Sequence, residues 1–322
     1  MRFARHVIAA AAALAASCAL AQAPYPSKPV KIVVAFTAGS ATDICARVVA
    51  DYLTKAMGQT FIVENKPGAG GSLGTAQVKE APPDGYTLVA AGSGPFGVNP
   101  GVYRNLPYDP VRDFEPIANI VLTPQAFVVN PQSPYHSMKD LVAAAKAHPG
   151  EIPYASLGNG STSHLTMEAF QKTAGIKLNH IPFKGSSEAQ TSIVGGQVAV
   201  MSDTVPGVLA QVKGGRLRAI GVAIPQRSPY LPDVPTVAEQ GWPGFESVGW
   251  IGLAAPAKTP PAILDRLNTE IRHMLDDPAV KARLDQLAFT PVGDSRQHFG
   301  EFIASEVAKW KKVATGANVS LD

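Results

Sequence analysis

The chain has 322 residues, of which 46% are hydrophobic and 16% charged, with a formal net charge of +3. This is enough apolar material to bury the core of one large domain or two medium ones. The near-balance of charge argues against nucleic acid as a partner, and after the amino terminus no apolar run reaches the ~20 residues of a membrane span.

The amino terminus has the pattern of a cleaved secretory signal peptide, predicted over residues 1–21. Arg2 and Arg5 supply the charged start, and Ala19-Leu20-Ala21 supplies the small-residue cleavage site. We therefore expect the chain to be exported. The mature chain keeps one cysteine, Cys45, which falls on the apolar face of a helix and is expected to be a buried core residue.

Apolar strand-like runs alternate with segments of helical periodicity through most of the chain, which is typical of βα units and parallel strands. The first helical segment ends before Gly58, and Thr259-Pro260 predicts the start of a later helix. The predicted strands, in chain order, are Lys31–Val34, Phe61–Val63, Tyr86–Ala90, Phe127–Val129, Tyr154–Ser156, Val198–Met201 and Leu217–Val222.

Two proline-containing regions, Thr123-Pro124 and Leu231–Pro243, are candidate crossovers between domains. They predict a discontinuous first domain made of residues 22–123 and 244–322. The second domain, residues 124–243, is then inserted between its two parts.

A turn of small residues lies between the first predicted strand and the following helix. Such a turn exposes backbone N–H groups at the positive end of the helix, so we expect it to bind an anion, most simply a carboxylate or a phosphate. The candidate ligand-binding residues of this first turn are Phe36, Ala38, Gly39, Ser40, Ala41, Thr42 and Asp43.

A second turn of the same kind follows the strand Tyr154–Ser156. If the two turns face each other across a cleft, two helix N-termini point at one ligand; the alternative is that each turn only caps its own helix. The candidate ligand-binding residues of this second turn are Gly158, Asn159, Gly160, Ser161, Thr162 and His164.

Asp203 closes the apolar strand that begins at Val198. One interpretation is a helix cap for the segment that begins near Pro206. In a carboxylate site, Asp203 would instead accept a hydrogen bond from a ligand hydroxyl, a ligand amine or an ordered water.

Catalytic and metal chemistry have little support in the sequence. Gly70-Gly71-Ser72-Leu73-Gly74 matches the nucleophile-elbow pattern of serine hydrolases, with Asp265 and His298 as conceivable triad partners. However, Asn65 to Ala69 intervene between the preceding strand and this motif, whereas an elbow places the serine directly on the strand-to-helix turn. The histidines have no metal-binding spacing, so we expect neither a metal nor a cofactor.

Several runs of the chain are distinctive in combination. They are Val63–Gly71, Ala81–Leu88, Leu106–Pro110, Tyr154–Ser156, Gly158–Ser161, Pro182–Gly185 and Leu231–Thr236. Together these runs resemble the Bug family, the periplasmic solute-binding proteins of tripartite tricarboxylate transporters, over the whole mature chain. The resemblance implies a periplasmic location and an α/β fold of the type II-like periplasmic binding protein class, a Venus flytrap in which two βα domains close on a ligand cleft.

The resemblance also implies a function without catalysis. A monomeric receptor would capture a small-molecule carboxylate, either a di- or tricarboxylate or an aromatic carboxylate, for the membrane subunits of a tripartite tricarboxylate transporter. An exported sensory module that feeds a receptor kinase is the alternative. Ser93, after the third strand, and Asp203 match ligand-pocket positions of the family.

The first turn departs from the family pattern, which usually reads Phe-Pro-Pro-Gly-Gly-Gly-Thr/Ser-Asp. This chain has Thr37, Ala38, Ser40 and Ala41 at four of these positions. Because alanine and serine adopt positive φ less readily than glycine, we expect a differently shaped turn. We also expect the ligand preference of this chain to be determined there.

Overall fold

The computed structural model describes residues 25–317. The predicted signal peptide therefore lies outside the described residues. No helix in the described part of the chain is both long enough and apolar enough to cross a membrane.

Strands and helices alternate along the chain. The strands are β1 (Val30–Val34), β2 (Phe61–Asn65), β3 (Thr87–Gly92), β4 (Phe114–Val129), β5 (Pro153–Ser156), β6 (Asn179–Pro182), β7 (Val200–Thr204), β8 (Arg218–Val222), β9 (Val248–Pro256) and β10 (Thr290–Pro291). The helices are α1 (Ala41–Met57), α2 (Ser72–Lys79), α3 (Asn99–Val102), α4 (Met138–Ala147), α5 (Thr162–Ala174), α6 (Ser186–Val194), α7 (Val205–Lys213), α8 (Pro261–Asp276), α9 (Pro278–Gln286) and α10 (Arg296–Ala317).

The seven predicted strands are all present, with shifted ends. The run at Phe127–Val129 is only the last part of the 16-residue β4, and β9 was not predicted. Helix α1 stops at Gly58, whose φ of 71° ends the helix in the left-handed region. Helix α8 begins one residue later than predicted, because the Thr259 hydroxyl donates to the Pro256 carbonyl (2.7 Å) and does not cap the helix.

Strand β4 connects the two parts of the sheet, whose order is β2-β1-β3-β9-β4-β7-β5-β6. Residues Phe114 to Pro124 of β4 pair antiparallel with β9. From Gln125 to Val129 the same strand pairs antiparallel with β7, and Ala126 to Val129 also pair with β8. One continuous strand therefore changes its partners at Pro124 and Gln125.

Helices cover the sheet on both faces, so its strands are apolar on both faces. Helices α1, α8 and α9 pack on β1, β3 and β9, with Leu53 and Leu264 in that core. Cys45 belongs to the same core; it is fully buried, as predicted, and burial raises the pKa of its thiol to about 12. Separate cores around Phe170 and Val208 cover the two faces of β5, β7 and the end of β4. The domain boundaries at residues 123 and 244 stay a prediction.

Gly252 provides a test of this packing, because β9 lies very close to helix α10 there. A Cβ atom at this position would stand 2.3 Å from Phe299 Cζ and 2.6 Å from the Ala118 carbonyl oxygen. We expect Gly252→Ala to lower the free energy of unfolding by about 1–3 kcal/mol through overpacking, measured by chemical denaturation.

Gly92, on the neighbouring strand β3, is the matched control. Its added Cβ atom would lie 3.7 Å from the Trp250 carbonyl oxygen, an ordinary contact. Gly92→Ala should therefore change the unfolding free energy by less than about 0.5 kcal/mol. Equal effects of the two substitutions would contradict the described packing of α10 on β9.

Candidate functional site

A small cavity lies where the ends of β1, β5 and β7 approach β4 and β9. Its volume is about 50 Å³. Its lining contains both polar and apolar side chains, and Asp203 is the only ionisable side chain among the lining residues. The lining residues are Phe36, Ser40, Ala41, Thr42, Gly92, Ser93, Gly94, Thr123, Gln125, Leu157, Ser161, Thr162, Ser163, Asp203, Thr204, Trp250 and Ile251.

The structure brings both predicted turns to this cavity. The predicted site residues that line it are Phe36, Ser40, Ala41, Thr42, Ser93, Ser161, Thr162 and Asp203. The predicted site residues that lie in the turns but outside this lining are Ala38, Gly39, Asp43, Gly158, Asn159, Gly160 and His164. Direct contact of either group with a ligand stays a prediction.

The two turns end in the same backbone conformation. Gly39 (φ 80°) precedes Ser40 (φ −68°, ψ 158°), and Gly160 (φ 75°) precedes Ser161 (φ −69°, ψ 156°). Each serine is the N-cap of its helix, α1 or α5, and its Oγ accepts from the backbone N–H three residues later, at 3.3 Å and 3.2 Å respectively. Two helices therefore begin at one cavity with equivalent caps.

A side chain one turn into each helix fixes the glycine that precedes the cap. The Gly39 N–H donates to Asp43 Oδ2 (2.9 Å), and the Gly160 N–H donates to His164 Nδ1 (3.3 Å). Burial alone would raise the pKa of Asp43, but hydrogen bonds from Arg47, from Gly39 N–H and from an asparagine amide hold it below its usual value. Asp43 and His164 thus hold the turns in position from outside the cavity lining.

The residues that replace the family's glycines have ordinary backbone conformations. Only Gly39 needs a positive φ, whereas Ser40 is extended and Ala41 is the first helical residue. Serine and alanine adopt these conformations without strain. A shape that differs from that of the family's turn stays a prediction.

A stack of aromatic rings supports the second turn. The His164 ring lies 4.1 Å from the His180 ring with an interplanar angle of 9°, and His180 stacks on Tyr154 at 4.8 Å. His180 Nε2 is 2.6 Å from Ser156 Oγ. The pKa of each histidine is lowered to about 4. Burial is the cause in His164 and the larger cause in His180, where the neighbouring His164 also contributes. Both rings are therefore neutral at neutral pH.

Hydrogen bonds connect the two sides of the cavity directly. Ser93 Oγ lies 2.8 Å from Thr162 Oγ1. The Tyr103 hydroxyl donates to the Asn159 carbonyl (3.0 Å), and the Ser187 hydroxyl donates to the Ala38 carbonyl (3.0 Å). The turn backbones at residues 38 and 159 therefore serve to hold the cavity closed.

Asp203 is buried at the wall of the cavity. Its carboxylate accepts from the Thr204 N–H (2.7 Å), from the Ser186 hydroxyl and from the Gln190 amide (3.3 Å). Burial raises the pKa of Asp203 despite these donors. Its interpretation as a helix cap is wrong, because the N-cap of α7 is Thr204, whose Oγ1 accepts from the Gly207 N–H (3.1 Å).

Nine lining residues were missed by the sequence analysis. Three of them, Thr123, Trp250 and Ile251, come from the β4–β9 pair, whose long-range pairing has no local sequence signal. Gln125 is the exception, because a lone amide inside an otherwise apolar strand is itself a signal. The missed residues are Gly92, Gly94, Thr123, Gln125, Leu157, Ser163, Thr204, Trp250 and Ile251.

The residues of the serine-hydrolase alternative hydrogen bond to separate partners. The Ser72 hydroxyl donates to the Ala69 carbonyl (2.7 Å), Asp265 pairs with Arg296, and His298 pairs with Asp294. Within residues 25–317, no group of three or more His, Cys, Asp or Glu side chains is arranged to hold a metal ion.

Comparison with known proteins identifies the family. Residues 45–319 match the family described as "Tripartite tricarboxylate transporter family receptor". The chain belongs to this family. The receptor is 37% identical to protein BugT of Bordetella pertussis over 298 residues, which cover 92% of this chain and 91% of BugT. The resemblance to the Bug family is thereby confirmed.

Solved structures confirm the predicted fold class of the receptor. A protein of R. palustris solved with adipate has a TM-score of 0.89 at 33% identity, with 92% of this chain and 99% of that chain covered. MatC from Rhodopseudomonas palustris, solved with bound malate, has a TM-score of 0.86 at 31% identity, with 90% and 99% covered.

The histidine stack predicts a pH-dependent stability. Between pH 6.5 and about pH 4 the unfolded chain binds protons on His164 and His180 that the folded receptor does not bind. The free energy of unfolding should therefore fall as the pH falls through this window, by up to about 1.4 kcal/mol per pH unit for each histidine. Below about pH 4 these two groups should add no further loss.

Denaturation of the wild type and of His180→Phe at several pH values checks this, since the variant keeps an aromatic ring in the stack. Its stability should fall less steeply between pH 6.5 and 4 than that of the wild type. The exposed His148 is the control, and His148→Gln should keep the wild-type slope. An unchanged slope in His180→Phe would contradict the account.

Proposed function

We propose that the receptor captures a carboxylate between the turns before α1 and α5 and delivers it, in the periplasm, to the membrane subunits of a tripartite tricarboxylate transporter. The main support is the repeated glycine–serine cap, since two helix N-termini that begin at one cavity place partial positive charge and backbone N–H groups around it. The pattern of residues 1–21 supports the periplasmic location.

The charge of the cavity lining supports binding through N–H and O–H donors. Among the described residues that line it, none is lysine, arginine or histidine. A bound carboxylate would therefore be stabilised by hydrogen bonds to an ionised group, each of which contributes about 1.5–3 kcal/mol. The similar proteins from R. palustris were solved with adipate and with malate, which are both carboxylates.

Isothermal titration calorimetry of the chain from residue 22 onward tests the proposal. The panel contains malate, adipate, citrate and benzoate as carboxylates, with glucose and putrescine as a sugar and an amine. We expect binding of one molecule per chain for at least one carboxylate. Binding of the sugar or the amine, with no heat from any carboxylate, would disprove the proposal.

Ser40 and Ser161 form a matched pair for a second test. Ser161 Oγ donates its proton to the Gly158 carbonyl (2.7 Å). Within residues 25–317, by contrast, the Ser40 hydroxyl proton has no acceptor, and Ser40 Oγ only accepts from the Asp43 N–H. Ser40→Ala therefore removes a cap and a free donor that lines the cavity, whereas Ser161→Ala removes a cap and the internal bond to the Gly158 carbonyl, and no free donor.

Both variants should lower the unfolding free energy by about 1 kcal/mol, because each loses one N-cap. Ser40→Ala should in addition weaken binding of the tightest carboxylate by about tenfold or more relative to Ser161→Ala, the equivalent of about 1.5–3 kcal/mol for one charge-assisted bond. Thermal melts and calorimetry measure the two effects. Equal affinities of the two variants would show that Ser40 does not donate to the ligand.

A further inference from the structure

Gln125 occupies a fixed position where β4 changes partners from β9 to β7. Its backbone N–H donates to the Ser247 carbonyl (3.1 Å), and its carbonyl accepts from the Ala223 N–H (2.8 Å). The residue is 1% exposed and lines the cavity. Its side chain therefore lines the site from a backbone that is hydrogen bonded through both its N–H and its carbonyl, and not from either turn.

The Gln125 side-chain oxygen has a hydrogen-bond partner within the described chain, whereas the side-chain NH2 group has none. Its Oε1 atom accepts from the Ser202 hydroxyl (3.0 Å). No acceptor for its Nε2 group exists among the described residues. A ligand oxygen in the cavity would supply this partner.

Gln190, a neighbouring buried glutamine, shows the usual arrangement. Its Nε2 group lies within hydrogen-bonding distance of three acceptors, namely Ser186 Oγ (2.8 Å), Asp203 Oδ2 (3.3 Å) and the Gly207 carbonyl (3.0 Å). Both carboxylate oxygens of Asp203 are likewise engaged by protein donors. The Nε2 group of Gln125, unlike that of Gln190, is therefore available to a ligand.

The unpaired Nε2 donor of Gln125 and the N-cap serines of the two turns line the same cavity from different elements. We propose that Gln125 determines specificity, because it donates to a second oxygen of a ligand whose carboxylate is bound by the turns. The receptor would then prefer carboxylates with a second oxygen acceptor, such as dicarboxylates and oxo acids, to plain monocarboxylates. This inference rests on the proposed function, since it presupposes a carboxylate at the turns.

Paired acids of equal chain length test the inference by calorimetry at neutral pH. Succinate is compared with butyrate, and adipate with hexanoate, because each monoacid lacks only the distal oxygens. The wild type should bind the better diacid at least tenfold more tightly than its paired monoacid. Gln125→Leu, which removes the donor, should weaken that diacid about tenfold and change the monoacid less than twofold.

Gln125→Glu is the second variant, because it is isosteric and keeps the acceptor for Ser202. It replaces the donor by a negatively charged oxygen, so it should weaken the diacid at least as much as Gln125→Leu does. Gln240→Leu is the control, since the buried amide of Gln240 donates to the Ile220 carbonyl (2.9 Å), away from the cavity. It should lower the thermal melting temperature and keep the wild-type ratio of diacid to monoacid affinity.

Two results would overturn the inference while the proposed function stands. The first is a wild type that binds monoacids as tightly as diacids. The second is an equal loss of both acids in the Gln125 variants, which would indicate a structural role only. If the wild type binds none of these four acids and no carboxylate of the wider panel, the proposed function itself fails.

Discussion

The binding cavity depends on one local constraint that occurs twice, a glycine with positive φ directly before a serine that caps a helix. At Gly39 and Gly160 the backbone turns sharply, and the serine that follows accepts from an N–H group of the first helical turn. This arrangement starts α1 and α5 at the cavity with their positive ends toward it. Asp43 and His164 then hold the two glycine N–H groups in place.

Asp43 and His164 occupy equivalent positions and fix their turns in the same way, although their side chains differ. Each accepts from the N–H of the glycine four residues earlier, yet Asp43 does so as a carboxylate held by Arg47 and His164 as a neutral ring stacked on His180. The first turn is therefore stabilised by charge and the second by burial. The two turns should respond differently to acid for this reason.

Strand β4 brings the remaining groups to the turns. Because one continuous strand pairs with β9 and then with β7, it carries Thr123 and Gln125 to the point where both parts of the sheet end. Direct bonds such as those of Tyr103 and Ser187 close the cavity over this point. The site is thus assembled from turns that are local in sequence and from a strand that is not.

This division explains how much of the site the sequence could predict. The turns were predictable because small residues between an apolar strand and a helical period have a local signal, and eight of the fifteen predicted residues line the cavity. The conformation of Ser40 and Ala41 was not predictable, because a family pattern of glycines does not reveal which glycine needs a positive φ. Trp250 and Thr123 were missed because antiparallel pairing of β4 with β9 joins segments far apart in the chain.

A crystal structure of the receptor with the tightest carboxylate of the panel would show whether two equivalent helix N-termini hold one anion. Oxygens of one bound carboxylate should lie within about 3.2 Å of donors from both turns, with Ser40 Oγ on one side and a donor of the α5 turn on the other. A carboxylate that contacts one turn only, or that is bound by a basic side chain elsewhere, would contradict this arrangement.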